Sequence, residues 1–381
     1  MSAATIAIGW KVVTCHFDTV IVGGGQAGLA VGYYLSKLGQ SFVILDAHER
    51  MGDNWRERYD SLRLFTPAKH DALPGMPFPA SRYTFPTGCQ FADYLESYAA
   101  RMRLPILTGV RADGLRTADD GTGFYLTAGQ RRFTADQVVV ATGMHQLPSV
   151  PGFASQLDPG IVQLHSSEYH NPSQLLPGDV LVVGAGHSGA DIALEAASAH
   201  RTWLSGPVRG QISLNIESRA ARPLWWLLWF AAHHLLTMRL PPVRGTQPAA
   251  HGQGGPLVRV RLPQLAAAGV RHVNSRTAGV RDGLPVLEDG QVMNVSNVIW
   301  CTGFRHDFSW IHMPVTGERG WPRHERGIAT EVPGLYFVGL PLQYSFSSML
   351  VGGVTRDARY VAKRAAASAS ARRRQHPVHS H

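Results

Sequence analysis

The sequence predicts an α/β protein, and two short stretches and one recurrent pattern predict it. DTVIVGGGQAGLAVGYYL (18–35) runs from a short apolar strand through a glycine-rich turn into a helical pattern, and DVLVVGAGHSGADIALEAA (179–197) does the same again. Between and after them, VIVGGG, FVILD, QVVVATG, VLVVGAG, NVIWCTG and LYFVGL alternate with helical patterns. Such continuous β-branched runs suit parallel strands buried on both faces.

The first turn fits G-x-G-x-x-G with Gly23, Gly25 and Gly28, and Gln26 and Ala27 open its helix. The first glycine allows the tight turn, and the second lets backbone approach a pyrophosphate. The third lets helix pack on strand, while the helix N-terminus offers free N–H groups. The next strand, SFVILD, ends in Asp46, eighteen residues past Gly28. A carboxylate there accepts hydrogen bonds from a ribose diol, so FAD and NAD both qualify.

Gly184, Gly186 and Gly189 repeat the pattern, with His187 and Ser188 opening the helix, but the following strand RTWLS ends in Ser205. Gly206, Pro207 and then Arg209 come next, so no acid waits for a diol and a base stands ready for a 2′-phosphate. This pattern points to NADPH. From Leu204 to Val280 nine arginines face one acid, Glu217, which also suits a solvated basic face. Two nucleotide sites on one chain imply hydride transfer between them. The fold class is therefore two Rossmann-like dinucleotide-binding domains (FAD/NAD(P)-binding), and a second unit inserted between two segments of the first would need one crossing out and one crossing back.

Composition excludes other classes. Hydrophobic residues make up 44% of 381, ordinary for a globular protein. Five of the nine excess positive charges lie in the last twenty residues, which leaves an unremarkable body and argues against nucleic acid. Cys15, Cys89 and Cys301 form no CxxC pair and suit a reducing cytosol. The N-terminus lacks a basic n-region, so no signal peptide is expected and the protein is read as cytoplasmic. LWWLLWFAAHHLL (224–236) is too short to cross a bilayer.

GDNWRERYDSLRLFTPAKHDALPGMPFP (52–79), VVVATG (138–143), VIWCTGFRHDFSWI (298–311), GLYFVGL (334–340) and SFSSMLVGGVTRDARYVA (345–362), together with the two turns, resemble the flavin-containing monooxygenase family. The compact bacterial members and the plant indole-3-pyruvate monooxygenases are the most similar, and the resemblance covers nearly the whole chain. It implies that the NADP domain is inserted in the FAD domain, with expected boundaries of an N-terminal extension (1–16), an FAD-binding domain (17–150 and 301–364), an NADP-binding domain (151–300, with an insertion at 207–256) and a disordered basic tail (365–381). It implies too that Trp55 sits beside the flavin, that Thr142–Gly143 and Thr302–Gly303 form the two inter-domain linker turns, and that Gly339 lies near the flavin pyrophosphate. It also implies that NADPH reduces FAD, and that oxygen adds to the flavin to give a (hydro)peroxide. That species passes one atom to a nucleophile or carbonyl of a small, apolar organic substrate. The chain departs from the family in three places. Of the signature F-x-G-x-x-x-H-x-x-x-aromatic it keeps His165 and Tyr169 but has Pro159 and Ile161; His187 replaces a common asparagine; and no asparagine matches near Thr66 and Pro67.

No paired carboxylates, G-x-S-x-G elbow or metal-spaced cluster is visible, so no metal is expected, and HPVHSH at the end reads as a solvated tail. Thr66 and His187 are the candidate catalytic residues; His187 either touches the nicotinamide phosphates or caps its helix. In PLWWLLWFAAHHLLTM (223–238), helical spacing puts Trp225, Trp229, Ala232 and Leu236 on one stripe. That stripe packs at the domain interface, lines a substrate mouth or lies on a membrane surface. PPVRGTQPAAHGQGGP (241–256) reads as a loop. Two rival functions use the same cofactors differently: electron transfer to a quinone or protein without oxygen insertion, and an accessory FAD-binding role.

Overall fold

The structure, a computed structural model, describes residues 14–375 apart from 120, 213, 239, 241–254, 318 and 319. β1 (Thr14–Val22) enters the first glycine turn and leaves as α1 (Gln26–Lys37), followed by β2 (Phe42–Leu45). α2 (Asp53–Arg56) and α3 (Gly88–Met102) precede β3 (Ile106–Leu107), β4 (Gly114–Thr117), β5 (Phe124–Ala128) and β6 (Arg131–Val140). The chain crosses out through β7 (Leu147–Pro148) and builds β8 (Val162–His165), β9 (Val180–Val183), α4 (His187–Ala196) and β10 (Thr202–Ser205). α5 (Arg222–Phe230), α6 (Leu262–Ala267), β11 (Arg271–Val273), the hairpin β12 (Thr277–Arg281)/β13 (Leu284–Leu287) and β14 (Asn297–Trp300) follow. It returns through β15 (Phe304–Arg305), and β16 (His324–Glu325), β17 (Ile328–Ala329), β18 (Leu335–Phe337) and α7 (Val351–Gln375) complete it.

Two sheets result. The first runs β16-β17-β18-β6-β1-β2-β3, with β4 and β5 branching antiparallel from β6; the second runs β11-β10-β9-β14-β8 and is parallel throughout. Alternation along the central strands splits each core in two. Ile21, Ile44 and Val139 pack with α1, α3 and α7, whereas Val20, Val22, Val43, Leu45, Val138 and Val140 face Phe308 and Ile311. In the second sheet Val180, Val182 and Ile299 face α4, and Leu181, Val183, Val298 and Trp300 face the other way. Each such side chain contributes about 1.5–3 kcal/mol by leaving water, which is why these strands read as unbroken apolar runs.

The outward and returning crossings lie side by side: β7 pairs antiparallel with β15, Leu147 opposite Arg305 and Pro148 opposite Phe304.

Three features, two of them boundaries, differ from the sequence reading. β1 begins at Thr14, and residues 14–16 pair with Arg132–Thr134, so the N-terminal extension ends before the expected residue 16. The tail expected to be disordered from 365 continues α7 to Gln375, because alanine-rich sequence is here a packing face: Ala365 and Ala369 are buried, and Gln137 Nε2 donates to the Ala365 carbonyl at 2.8 Å. Residues 376–381, with HPVHSH, lie outside the described residues, as does most of the loop expected at 241–256.

The third concerns the tryptophan stripe. Trp225 is buried against Phe85 and Ile216, and Trp229 stacks on His70 at 4.2 Å, but Leu236 is 44% exposed. After Phe230 the helix continues as a π-helical turn, Ala231–Leu235, whose longer repeat rotates the following residues off the stripe.

Ending the chain after Arg364 should therefore leave the buried Gln137 amide without its acceptor. An unfolding free energy lower by about 1–3 kcal/mol is expected, against no change for a solvated tail, and a urea titration measures it.

Candidate functional site

The two glycine turns have nearly one geometry. Gly23 has φ +107° and Gly184 +106°, in the left-handed region that side chains rarely adopt. A Cβ on Gly28 would stand 1.9 Å from the Gly23 carbonyl oxygen, and one on Gly189 would stand 1.8 Å from that of Gly184. Gly23 N–H donates to Leu45 O at 2.8 Å, and Gly184 N–H to Ser205 O at 2.9 Å. Around the middle glycines there is room: a Cβ on Gly25 would meet only Asn54 Nδ2 at 3.9 Å, and one on Gly186 nothing within 4 Å. Neither helix has a side-chain cap or an acid in its first turn, so both present free N–H groups to an anion.

After the first turn, Asp46 does what its position predicts and more. Its Oδ2 accepts the Gly24 N–H at 2.6 Å, and its Oδ1 accepts the His48 N–H at 2.9 Å and lies 3.0 Å from the His48 ring. Burial pushes the carboxyl pKa up, but these bonds outweigh it and hold Asp46 below the usual carboxylate range. The same bond to Asp46 raises His48. Oδ2 keeps acceptor capacity for a diol. Gly339, φ +88°, lies against the start of α1, where its Cβ would come within 3.1 Å of the Ala27 methyl. Trp55 rides on α2, which is pressed on α3 through Gly52 and tied there by Arg56 to Asp93 and Glu96 at 2.8 and 2.9 Å. Its indole stands edge-on to Phe91, and its buried Nε1 has no acceptor among the described residues.

The second turn lacks such an acid. Ser205 is buried, its hydroxyl bonded to Thr277 at 2.9 Å, and Arg209 beyond it is exposed. His187 makes no helix cap, contrary to one of the two expectations for it. Its Nε2 lies 2.5 Å from the Pro256 carbonyl oxygen, and its ring packs on Phe65, because the chain returning from 256 reaches it first. Ser188 is half-buried beside it.

The linker residues meet each other. Thr302 Oγ1 donates to the Ser149 carbonyl, Ser149 N–H donates to Gly303 O at 3.0 Å, and Thr142 Oγ1 accepts from Gln146 Nε2 at 2.7 Å. Gly143 and Gly303 are open, left-handed turns. The buried His165 supports the crossing, its Nε2 donating to Gly303 O at 3.0 Å, while Tyr169 is wholly buried beneath. Burial pushes His165 down, so the neutral ring is the resting form.

A buried polar cluster around Thr66 was not legible in the sequence. Thr66 Oγ1 donates to Asp71 Oδ1 at 2.5 Å, and Asp71 is fully buried, its Oδ2 without a partner among the described residues. Burial raises Asp71 to about 8, against the Thr66 bond that lowers it, and the adjacent His70 falls to about 4. The signal, KHD after the Thr-Pro, is plain text until burial makes it unusual. A second link joins the two sheets: Tyr59 OH donates to Asp191 Oδ2 on α4 at 3.1 Å, and Arg259 pairs with Asp191 Oδ1 at 2.8 Å. Among the described residues no group of His, Cys, Asp and Glu could hold a metal ion, and no helix is long and apolar enough to cross a membrane. The three cysteines are free.

Residues 20–203 match the pyridine nucleotide-disulphide oxidoreductase family. The chain is 41% identical to an uncharacterized oxidoreductase CzcO-like of Geobacillus kaustophilus over 90% of this chain and 97% of that one. It is 27% identical to a probable indole-3-pyruvate monooxygenase, YUCCA7, of Arabidopsis thaliana, over 90% and 86%. Among solved structures, a flavin-containing monooxygenase from Stenotrophomonas maltophilia superposes with a TM-score of 0.73 at 26% identity, covering 93% of this chain and 99% of that one.

The cluster around Asp71 makes a pH prediction. A carboxyl raised from 3.8 to about 8 binds more protons folded than unfolded, so its contribution to stability is lost as pH rises through about 8. His70, lowered from 6.5 to about 4, acts in the opposite sense, but only below pH 6.5. Between pH 6.5 and 8 the wild type should lose stability more steeply than Asp71→Asn in chemical denaturation; parallel curves would contradict a raised Asp71.

Proposed function

The chain belongs to the flavin-containing monooxygenase family, and from that premise we propose that it is an NADPH- and O2-dependent FAD enzyme that oxygenates a small, apolar organic substrate. The observation that carries the reading is the difference between two otherwise matched turns. The first is followed by a carboxylate, Asp46, poised for an unphosphorylated ribose, and the second by no acid and then Arg209. FAD would be held by Gly23, Gly25, Gln26, Ala27, Gly28, Asp46, Trp55 and Gly339. NADPH would be held by Gly184, Gly186, His187, Ser188, Gly189 and Arg209. The domains would be those expected, 17–150 with 301–364 and 151–300, with the first opening at Thr14 and α7 extending the last.

The open space at Gly25 and Gly186 fits a pyrophosphate, since a side chain there would fill it, and the orphaned Nε1 of Trp55 offers a donor inside the protein. When bound, NADPH supplies the hydride and FAD accepts it and carries the oxygen chemistry. The chain's own part is to position and to exclude water. Arg209 would take the 2′-phosphate as a fixed charge. Asp71, raised to about 8 and so neutral at pH 7, with Thr66 at its Oδ1, would offer a buried donor without a buried charge. The free cysteines and the absence of CxxC support oxygen rather than disulphide as the acceptor.

Gly28→Ala is expected to purify without flavin colour, because the new methyl would overlap the Gly23 carbonyl. Arg209→Ala should raise the KM for NADPH about tenfold or more while sparing NADH; a charge-assisted phosphate contact is worth roughly 1.5–3 kcal/mol. An equal shift of both coenzymes would overturn the phosphate assignment. The proposal as a whole is tested by reducing the flavin anaerobically with NADPH and mixing with oxygenated buffer. A persistent absorbance unlike oxidised or reduced flavin is expected. Direct return to oxidised flavin, with a quinone accepting electrons faster than oxygen does, would sink it in favour of electron transfer.

A further inference from the structure

The helix-and-turn segment from Arg222 to Leu235 has two faces with different fates. One face is fixed. Trp225 Nε1 donates to the Ile216 carbonyl at 3.0 Å, Trp229 stacks on His70, Arg356 Nη1 donates to the His233 carbonyl at 2.6 Å, and His233 Nδ1 lies 2.9 Å from Ser347 Oγ. The helix cannot turn that face outward without breaking all four. The other face is apolar and open: Trp226 is 66% exposed, Leu227 52%, Leu235 53%, Leu236 44% and Phe230 39%. Trp226 and Phe230 stack on each other at 5.7 Å on that surface. Phe346, 44% exposed, is joined to it by its N–H bond to the Leu236 carbonyl at 2.9 Å.

Charge says what the face is built for. From Arg219 to Leu240 the chain carries no acid. Arg219 and Arg222 are exposed at the start of α5, and Lys69 stands with Arg222 over the Tyr83 ring, at 4.6 and 5.0 Å. We infer that this face is a docking surface for an anionic phospholipid leaflet. Trp226, Phe230 and Leu227 enter the boundary between headgroups and acyl chains, and Arg219, Arg222 and Lys69 take the phosphates. An aromatic pair at the water boundary beside cationic groups matches the amphipathic demand of that boundary. A second copy of the chain fits less well, since two-fold pairing of this face would bring its own arginines toward one another. The segment lies on the membrane rather than in it, being far shorter than a span. This inference stands apart from the reaction the enzyme performs.

The test is co-sedimentation of the full-length, FAD-loaded protein with sucrose-filled vesicles of phosphatidylcholine, with and without phosphatidylglycerol, for wild type, the double variant Trp226→Ser/Phe230→Ser and the double variant Arg219→Glu/Arg222→Glu. Wild type is expected to pellet with the anionic vesicles and to remain largely in solution with the neutral ones. The serine variant should stay in the supernatant, and charge reversal should weaken binding by at least about tenfold, both with unchanged thermal midpoints. Should the serine variant fail to fold, the exposed arginine pair carries the decision. Absence of wild-type pelleting with anionic vesicles overturns the inference, as does equal pelleting of wild type and the arginine variant. A wild-type dimer by light scattering that the serine variant dissolves, without vesicle binding, overturns it in favour of a second copy.

Discussion

The structure depends on how close a helix can come to the strand that feeds it. At Gly28 and Gly189 the helix backbone sits on a carbonyl oxygen of its own turn, at a distance no β-carbon could tolerate. The opposite side of each turn is equally full: a Cβ on Gly23 would lie 2.5 Å from the Ala141 carbonyl, and one on Gly184 2.4 Å from that of Cys301. Each turn is thus wedged between its own helix and the strand end that leads into a linker. The wedge points the free N–H groups of α1 and α4 at the same edges of the sheets where the linkers begin. The direction of the free N–H groups and the start of each linker are consequently set by the same close contacts.

This is also why so much could be read from the chain. A constraint of backbone approach leaves a signature in residue identity and spacing, and Asp46 is visible because an acid at a set offset has a specific use. The six apolar runs are all strands, since burial on both faces leaves no polar position to confuse them. What escaped notice depends on burial rather than identity. Asp71 and His70 look like ordinary surface residues until α5 and α3 cover them. Asp191 meets Tyr59 across more than a hundred residues of sequence. The end of α7 looks solvated because alanine and serine are common in tails, yet small side chains are what lets a helix lie close to α1. The rotation at Ala231–Leu235 has no residue signature and moved Leu236 off its stripe.

The charged groups follow one rule, that burial is tolerated where a partner or a proton neutralises it. Asp46 stays ionised because three hydrogen-bonding contacts surround it. Asp191 is raised by burial and restrained by Arg259. Asp71 has only a hydroxyl and takes the proton instead. The three carboxyls therefore offer an acceptor, a tether between sheets and a donor, with no catalytic motif declared in the sequence.

The pairing of β18 and β6, with α7 behind them, also dictates an order of assembly. The second sheet is made from one continuous stretch, 162–300, whereas the first needs residues from both ends of the chain: Gln137 finds its partner 228 positions later. During synthesis the inner unit can therefore close while the outer one still waits for its final strand and helix. A loop closed by an already compact unit spans less chain than a disordered one, which lessens the entropy lost when the last segment arrives. The inserted unit thus serves as a splint, holding Ser149 against Gly303 before the two halves of the outer unit meet.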